Sequence, residues 1–199
     1  MKASFFTRHP ALKDVLNLGI FVIAVIIGTI TINTFIFRSY SVVGPSMEET
    51  MHTGDRLIVN RLPVTVANIS GKAYIPKRGQ VIVFSNPHYS KGANDEFIVK
   101  RVIGLPGERV VLENGVFTVY NDQHPEGFNP DDFTNNEPKK PTTGSTDTIV
   151  PNGELFVSGD NRDGSFSYDS RNGMGTIPLY DIAGPVKLRV FPFTAVRTF

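Results

Sequence analysis

The sequence predicts a mainly β protein, an extracytoplasmic domain of antiparallel β-sheets behind one N-terminal transmembrane helix. Three observations carry that expectation. One long uncharged apolar run is followed only by much shorter ones. Gly and Pro are plentiful, at 18 and 14 of 199 residues, as suits short strands joined by turns. Asn114-Gly115 separates two strand-like runs, and a two-residue hairpin turn needs positive φ at both of its positions.

Residues 1–14 are polar and carry Lys2, Arg8 and Lys13. Residues 15–37 contain no charge and make a run of about 23, enough to cross a bilayer as a tilted helix. A cleaved leader would have a shorter apolar core and a small-x-small site after it; a soluble helix would have a polar face. The basic residues ahead of the run place the N-terminus in the cytoplasm and residues 38–199 outside it. Strands are expected at 55–60, 79–84, 97–103, 109–112, 116–120, 155–157 and 186–191, with a looser piece from Pro63 to Pro76. Residues 121–153 are polar and aperiodic, and are expected to be an excursion from the domain carrying one short strand.

Charge and composition exclude several functions. With 20 basic and 19 acidic residues, the net charge of +1 gives no footprint for nucleic acid. The absence of cysteine excludes disulfides, thiolate zinc sites and a cysteine nucleophile.

Chemistry concentrates in three stretches. The first is Tyr40-Ser-Val-Val-Gly-Pro-Ser-Met-Glu-Glu-Thr50, where Gly44 and Pro45 bend an extended segment just before Ser46. A serine on a turn at a strand end suits a nucleophile, although serines beside Gly-Pro are commonly plain turn residues. The second is Phe97-Ile-Val-Lys-Arg-Val-Ile103, in which alternation sends Lys100 and Arg101 to opposite faces. A buried lysine amine falls from about 10.4 toward 7–8 at a cost of about 4 kcal/mol, and the neutral amine can then take a serine proton. The alternative is a lysine that snorkels from a sheet edge. The third is Ser158-Gly-Asp-Asn-Arg-Asp-Gly-Ser-Phe-Ser-Tyr-Asp-Ser-Arg171, whose carboxylates and arginines suit a hydrogen-bonded loop and do not fit the spacing of a calcium loop. The histidines are His9, His52, His88 and His124; nothing local supports a triad, but one assembled in space stays open.

Taken together, Ser46-Met47, FIVKRVIGLPG at 97–107, Gly159-Asp-Asn-Arg-Asp163 and Asp169-Ser-Arg171 resemble the type I signal peptidases, with 79–84 similar to a further strand of that family. These are membrane-anchored serine/lysine endopeptidases that remove signal peptides from exported proteins. The single span and small size look most like the Gram-positive bacterial members. The resemblance implies Ser46 as nucleophile and Lys100 as general base. It implies that Ser165 orients the lysine, that Asp160, Asp169 and Arg171 form an ion-paired frame, and that Arg101 points away from the dyad. It implies no metal and no organic cofactor. A preprotein would lie extended between residues 40–44 and 97–100, with Val42, Met47 and Val99 walling pockets for small residues.

The pattern departs from the family at three places. Glu49 stands where proline is usual, Gln80 where aspartate is usual, and the stretch from Ser165 to Asp169 is about two residues longer than in many relatives. Two rivals remain in view. A catalytically silent assembly factor for surface structures should have lost Ser46 or Lys100, and both are kept. A self-cleaving repressor would need a DNA-binding domain where the apolar run stands.

Overall fold

The computed structural model describes residues 10–48, 50–92, 95–134, 140–164 and 166–199. Helix α1 (Pro10–Thr31) begins on a proline, whose fixed φ suits a first helical position, and runs into a five-residue π turn, Ile32–Ile36. Two polar side chains near the end of this apolar segment bond back to its own backbone. Thr31 Oγ donates to the Ile27 carbonyl at 2.8 Å and Asn33 Nδ2 to that of Thr29 at 3.0 Å. Ala11–Ile36 has a mean hydropathy of 2.6 and buries none of its most apolar stretch, so it has the length and composition of a membrane anchor. Phe37, the last residue of the expected span, instead opens strand β1 (Phe37–Ser41).

The domain is built of antiparallel strands, as the sequence predicts. One sheet runs β1, β2 (Arg56–Asn60), β11 (Ile182–Phe191), β3 (Val81–Ser85), β4 (Phe97–Gly104), β9 (Glu154–Ser158) and β10 (Ile177–Pro178), and β12 (Arg197–Thr198) pairs with β11. A second sheet runs β7 (His124–Phe128), β6 (Val116–Asn121), β5 (Arg109–Glu113) and β8 (Thr146–Ile149). Strand β3 is apolar from Val81 to Phe84, where it is buried on both sides: Ile82 and Phe84 enter one core cluster, Val81 and Val83 another. The second sheet covers a third cluster around Phe117 and Phe156.

Three expectations need correction. The piece from Pro63 contains helix α2 (Leu62–Ile69), with the proline in its first turn, where a missing N–H costs nothing. Its β-branched Val64, Thr65 and Val66 hide the helix from propensity. The last long strand starts at Ile182 rather than Val186 and contains Pro185. It tolerates the proline because β11 slips register at Gly184, pairing first with β3 and then with β2. Among the described residues of 121–153 there are two strands, not one. Both β7 and β8 are polar edge strands paired on one side only, so they lack the alternation that betrays a half-buried strand. The Asn114-Gly115 turn is as expected, with φ of 50° and 82°.

Candidate active site

Strand β1 leads into the Ser46 turn, which is held at both ends. Val42 N–H donates to the Asp55 carbonyl at 2.9 Å, and Gly54 N–H returns a bond to the Val42 carbonyl at 3.0 Å. Beyond Pro45 the chain coils tightly, with Glu48 N–H on the Pro45 carbonyl and Met51 N–H on that of Met47 at 2.8 Å. Met47 and Met51 are wholly buried in the core cluster around Leu57 and Val59, so the turn is pinned by packing. This corrects the pocket assignment. Coiling sends Met47 inward and leaves Ser46 facing the cleft, whereas Val42 and Val99 do line it.

Lys100 sits in β4, opposite Ile82 of β3. Its amine lies 2.7 Å from Ser46 Oγ and 3.0 Å from the Val99 carbonyl, and the residue is only 3 % exposed. Burial pulls its pKa down to about 8, against the opposing charges of Asp169 and Asp160 and with help from Arg171. At pH 7 about a tenth of the amines are therefore uncharged and able to take a hydroxyl proton.

The low value carries a stability cost. The unfolded amine holds its proton up to about 10.5 and the folded one only to about 8, so between those values the unfolded chain binds more protons and stability rises with pH. Below about pH 8 the buried charge costs up to about 3 kcal/mol. Lys100→Met should therefore raise stability at pH 7 by about 1–3 kcal/mol, with the gain shrinking by pH 10. Denaturant titration of both proteins at the two pH values checks this.

Alternation along β4 sends Arg101 the other way, to Asp160 (Nε to Oδ1 2.7 Å) and the Gly79 carbonyl (2.6 Å). The expected frame is thus two separate pairs, because Asp160 belongs to Arg101 and Asp169 to Arg171. Asp169 is fully buried and accepts from Ser167 Oγ at 2.6 Å, Gly159 N–H at 2.9 Å and the Arg171 guanidinium at 2.7 Å. Burial opposes its ionisation, but Arg171, Ser167 and the Gly159 N–H outweigh that and hold the carboxyl below its usual range. Ser165, expected to orient the lysine, lies outside the described residues, as does Glu49. Gln80, which stands where aspartate is usual, caps the loop before it, since its Oε1 accepts from Tyr74 Oη and Lys77 N–H.

Sequence reasoning gave no role to Asn161 or Arg162. Asn161 clamps the nucleophile turn, with its N–H on the Ser46 carbonyl at 3.0 Å and Nδ2 on that of Pro45 at 3.2 Å. Arg162 is buried, holds Asp131 through both terminal nitrogens and reaches the Gly159 carbonyl at 2.7 Å. Asp131 and Thr142 therefore brace this loop. The signal in the sequence was an arginine and an asparagine inside the quoted motif, but their partners are 31 and 116 residues away. Gly159 is required by close approach: a side chain there would collide with Ser167 Oγ and the Ser46 carbonyl.

Ser46 and Lys100 open into a cleft of about 500 Å³, walled by residues 40–45, by Phe97, Ile98 and Val99, and by Phe166 and Tyr168. β1 and β4 converge there, with the rings of Tyr40 and Phe97 edge to face at 5.1 Å and the Arg38 guanidinium over both. β9 pairs with β4 only from Arg101 onward, so β4 residues 97–100 are bonded to β3 on one edge and have no β9 partner on the other. None of His52, His88 and His124 lines the cleft. Among the described residues no group of carboxylates and histidines could hold a metal ion.

Known proteins share this chain's pattern over most of its length. It is 37% identical to a signal peptidase I of Bacillus amyloliquefaciens over 182 residues, covering 88% of this chain and 87% of the relative. It is 34% identical to signal peptidase I T of Bacillus subtilis, over 88% of this chain and 84% of that one. It is 31% identical to signal peptidase IB of Staphylococcus aureus, over 96% and 94%. Residues 14–191 match the family described as signal peptidase, peptidase S26, and the chain belongs to that family of peptidases.

Proposed function

We propose that this protein is a membrane-anchored serine endopeptidase that removes signal peptides from preproteins, with Ser46 as nucleophile and Lys100 as general base. The observation that carries the reading is the 2.7 Å contact between a buried amine of lowered pKa and the Ser46 hydroxyl, at the base of an open cleft. The substrate adds as a strand between residues 40–44 and the free edge of β4, and Val42 and Val99 limit the pockets to small side chains. Ser46 Oγ attacks the scissile carbonyl as its proton passes to Lys100 Nζ. The tetrahedral adduct collapses, the C–N bond breaks, and the leaving amine takes the proton from Lys100. Lys100 then removes a proton from water, whose oxygen attacks the acyl-enzyme and frees the carboxylate, and the proton returns to Ser46 Oγ. The Ser46 backbone N–H supplies one oxyanion donor.

α1 holds the domain at the bilayer, with the N-terminus inside and residues 38–199 on the extracellular face of the cytoplasmic membrane. Protease added to wall-stripped cells should digest the large domain. Full protection would reverse the orientation. Cleavage of a preprotein by the full chain in detergent tests the activity itself, and an inert protein would sink the reading.

Ser167 donates to Asp169, whose charge acts on Lys100, so we infer that Ser167 helps to orient the amine, the role expected of Ser165. Ser167→Ala should lower turnover by about 10- to 100-fold and move the pH dependence of the rate, with melting little changed. Ser165→Ala should stay near wild type. A loss confined to Ser165→Ala would restore the original assignment.

A further inference from the structure

Helix α2 lies beside the end of α1. Thr65 Oγ donates to the Phe35 carbonyl at 2.8 Å, and Arg61 N–H donates to that of Ile36 at 2.7 Å. These bonds fix the start of α2 where the apolar helix gives way to β1. Val64 points into the domain core, but Leu62, Val66 and Ile69 are 48 %, 53 % and 82 % exposed. Their spacing of four and three residues sets them along one helix face. Exposed apolar side chains along one face of a short helix are costly in water, and Phe35, whose carbonyl Thr65 bonds, and Phe37 are exposed as well. Lys72 and Lys77, both exposed, follow the helix and suit an anionic surface. A second protein would be free to approach from any side. A bilayer is already fixed at this spot by α1.

We propose that α2 lies in the plane of the membrane surface, with its Leu62–Val66–Ile69 stripe seated among the lipid chains where α1 enters the bilayer. This rests on α1 being the membrane anchor. It makes α2 a second point of attachment. Two points fix the tilt of the domain and hold the mouth of the cleft toward a substrate emerging from the bilayer.

The chain has no cysteine, so single sites can be labelled cleanly. The full chain carrying Ile23→Cys, Ile69→Cys or Glu113→Cys, each bearing an environment-sensitive fluorophore, is placed in phosphatidylcholine vesicles containing phosphatidylglycerol. The Ile69 label should shift to the blue and lose most of its emission to lipid-borne nitroxide, as the Ile23 label in α1 does. The Glu113 label, on the second sheet, should be unaffected. An Ile69 label that behaves like the Glu113 label, beside a quenched Ile23 label, overturns the proposal and leaves the anchor intact. An unquenched Ile23 label overturns the anchor, and this proposal with it. The double variant Val66→Asp/Ile69→Asp should process a vesicle-embedded preprotein several-fold more slowly while cutting a short soluble peptide in detergent at the normal rate. Equal rates on both substrates would overturn the role of α2 in presentation.

Discussion

Ser46→Ala should fold as the wild type does and lose about four to six orders of magnitude in turnover, because a methyl group cannot form the acyl-enzyme. The fold survives because the turn is fixed by groups other than the hydroxyl: buried Met47 and Met51, the Asn161 bonds to two carbonyls, and the Val42–Asp55 pairing. The loss is large because nucleophile and base act as a unit, so removing one leaves the other without a function. Losing the partner at 2.7 Å also leaves the Lys100 amine with the Val99 carbonyl as its remaining hydrogen-bond acceptor among the described residues. Preprotein cleavage alongside thermal melting decides the matter. Comparable turnover in the variant would mean that Ser46 is an ordinary turn residue.

The wild-type rate should rise with pH through a midpoint near 8, the value to which burial lowers the Lys100 amine. The direction follows from the role: the base works when neutral, and the neutral fraction grows as pH increases through that value. At pH 7 about a tenth of the enzyme would be active, so raising the pH from 7 to 9 should increase the rate about tenfold. Lys100→Arg should lose at least about 10³-fold, because a guanidinium keeps its proton throughout this range. A histidine base would instead place the limb near about 6.5. The test is the pH–rate profile of the wild type beside the activity of Lys100→Arg. An active arginine variant with a limb near 6.5 that vanishes on replacing His52 or His88 would remove Lys100 from the mechanism.

What was legible beforehand was local. An uncharged run long enough for a bilayer, a serine after Gly-Pro, a lysine inside an apolar strand and an Asn-Gly turn each announce themselves within a few residues. Their physics is equally local: hydropathy, backbone reach and side-chain alternation. Elements with no stripe to bury, such as β7, β8 and the β-branched α2, had no such pattern and went unseen or were misread.

The sequence by itself determined the antiparallel β class, the apolar helix ahead of it, and Ser46 and Lys100 as the residues to test. Only the tertiary structure decided that they meet at 2.7 Å, that Met47 turns into the core, and that Asp160 pairs with Arg101 rather than joining Asp169. It also decided that Asp131 holds Arg162, and that Ser167 is the hydroxyl on Asp169. The reason is that these contacts join residues far apart in the chain, or depend on the coiling of one loop. Pairing across such separations is set by strand register and core packing, which no short window of sequence contains.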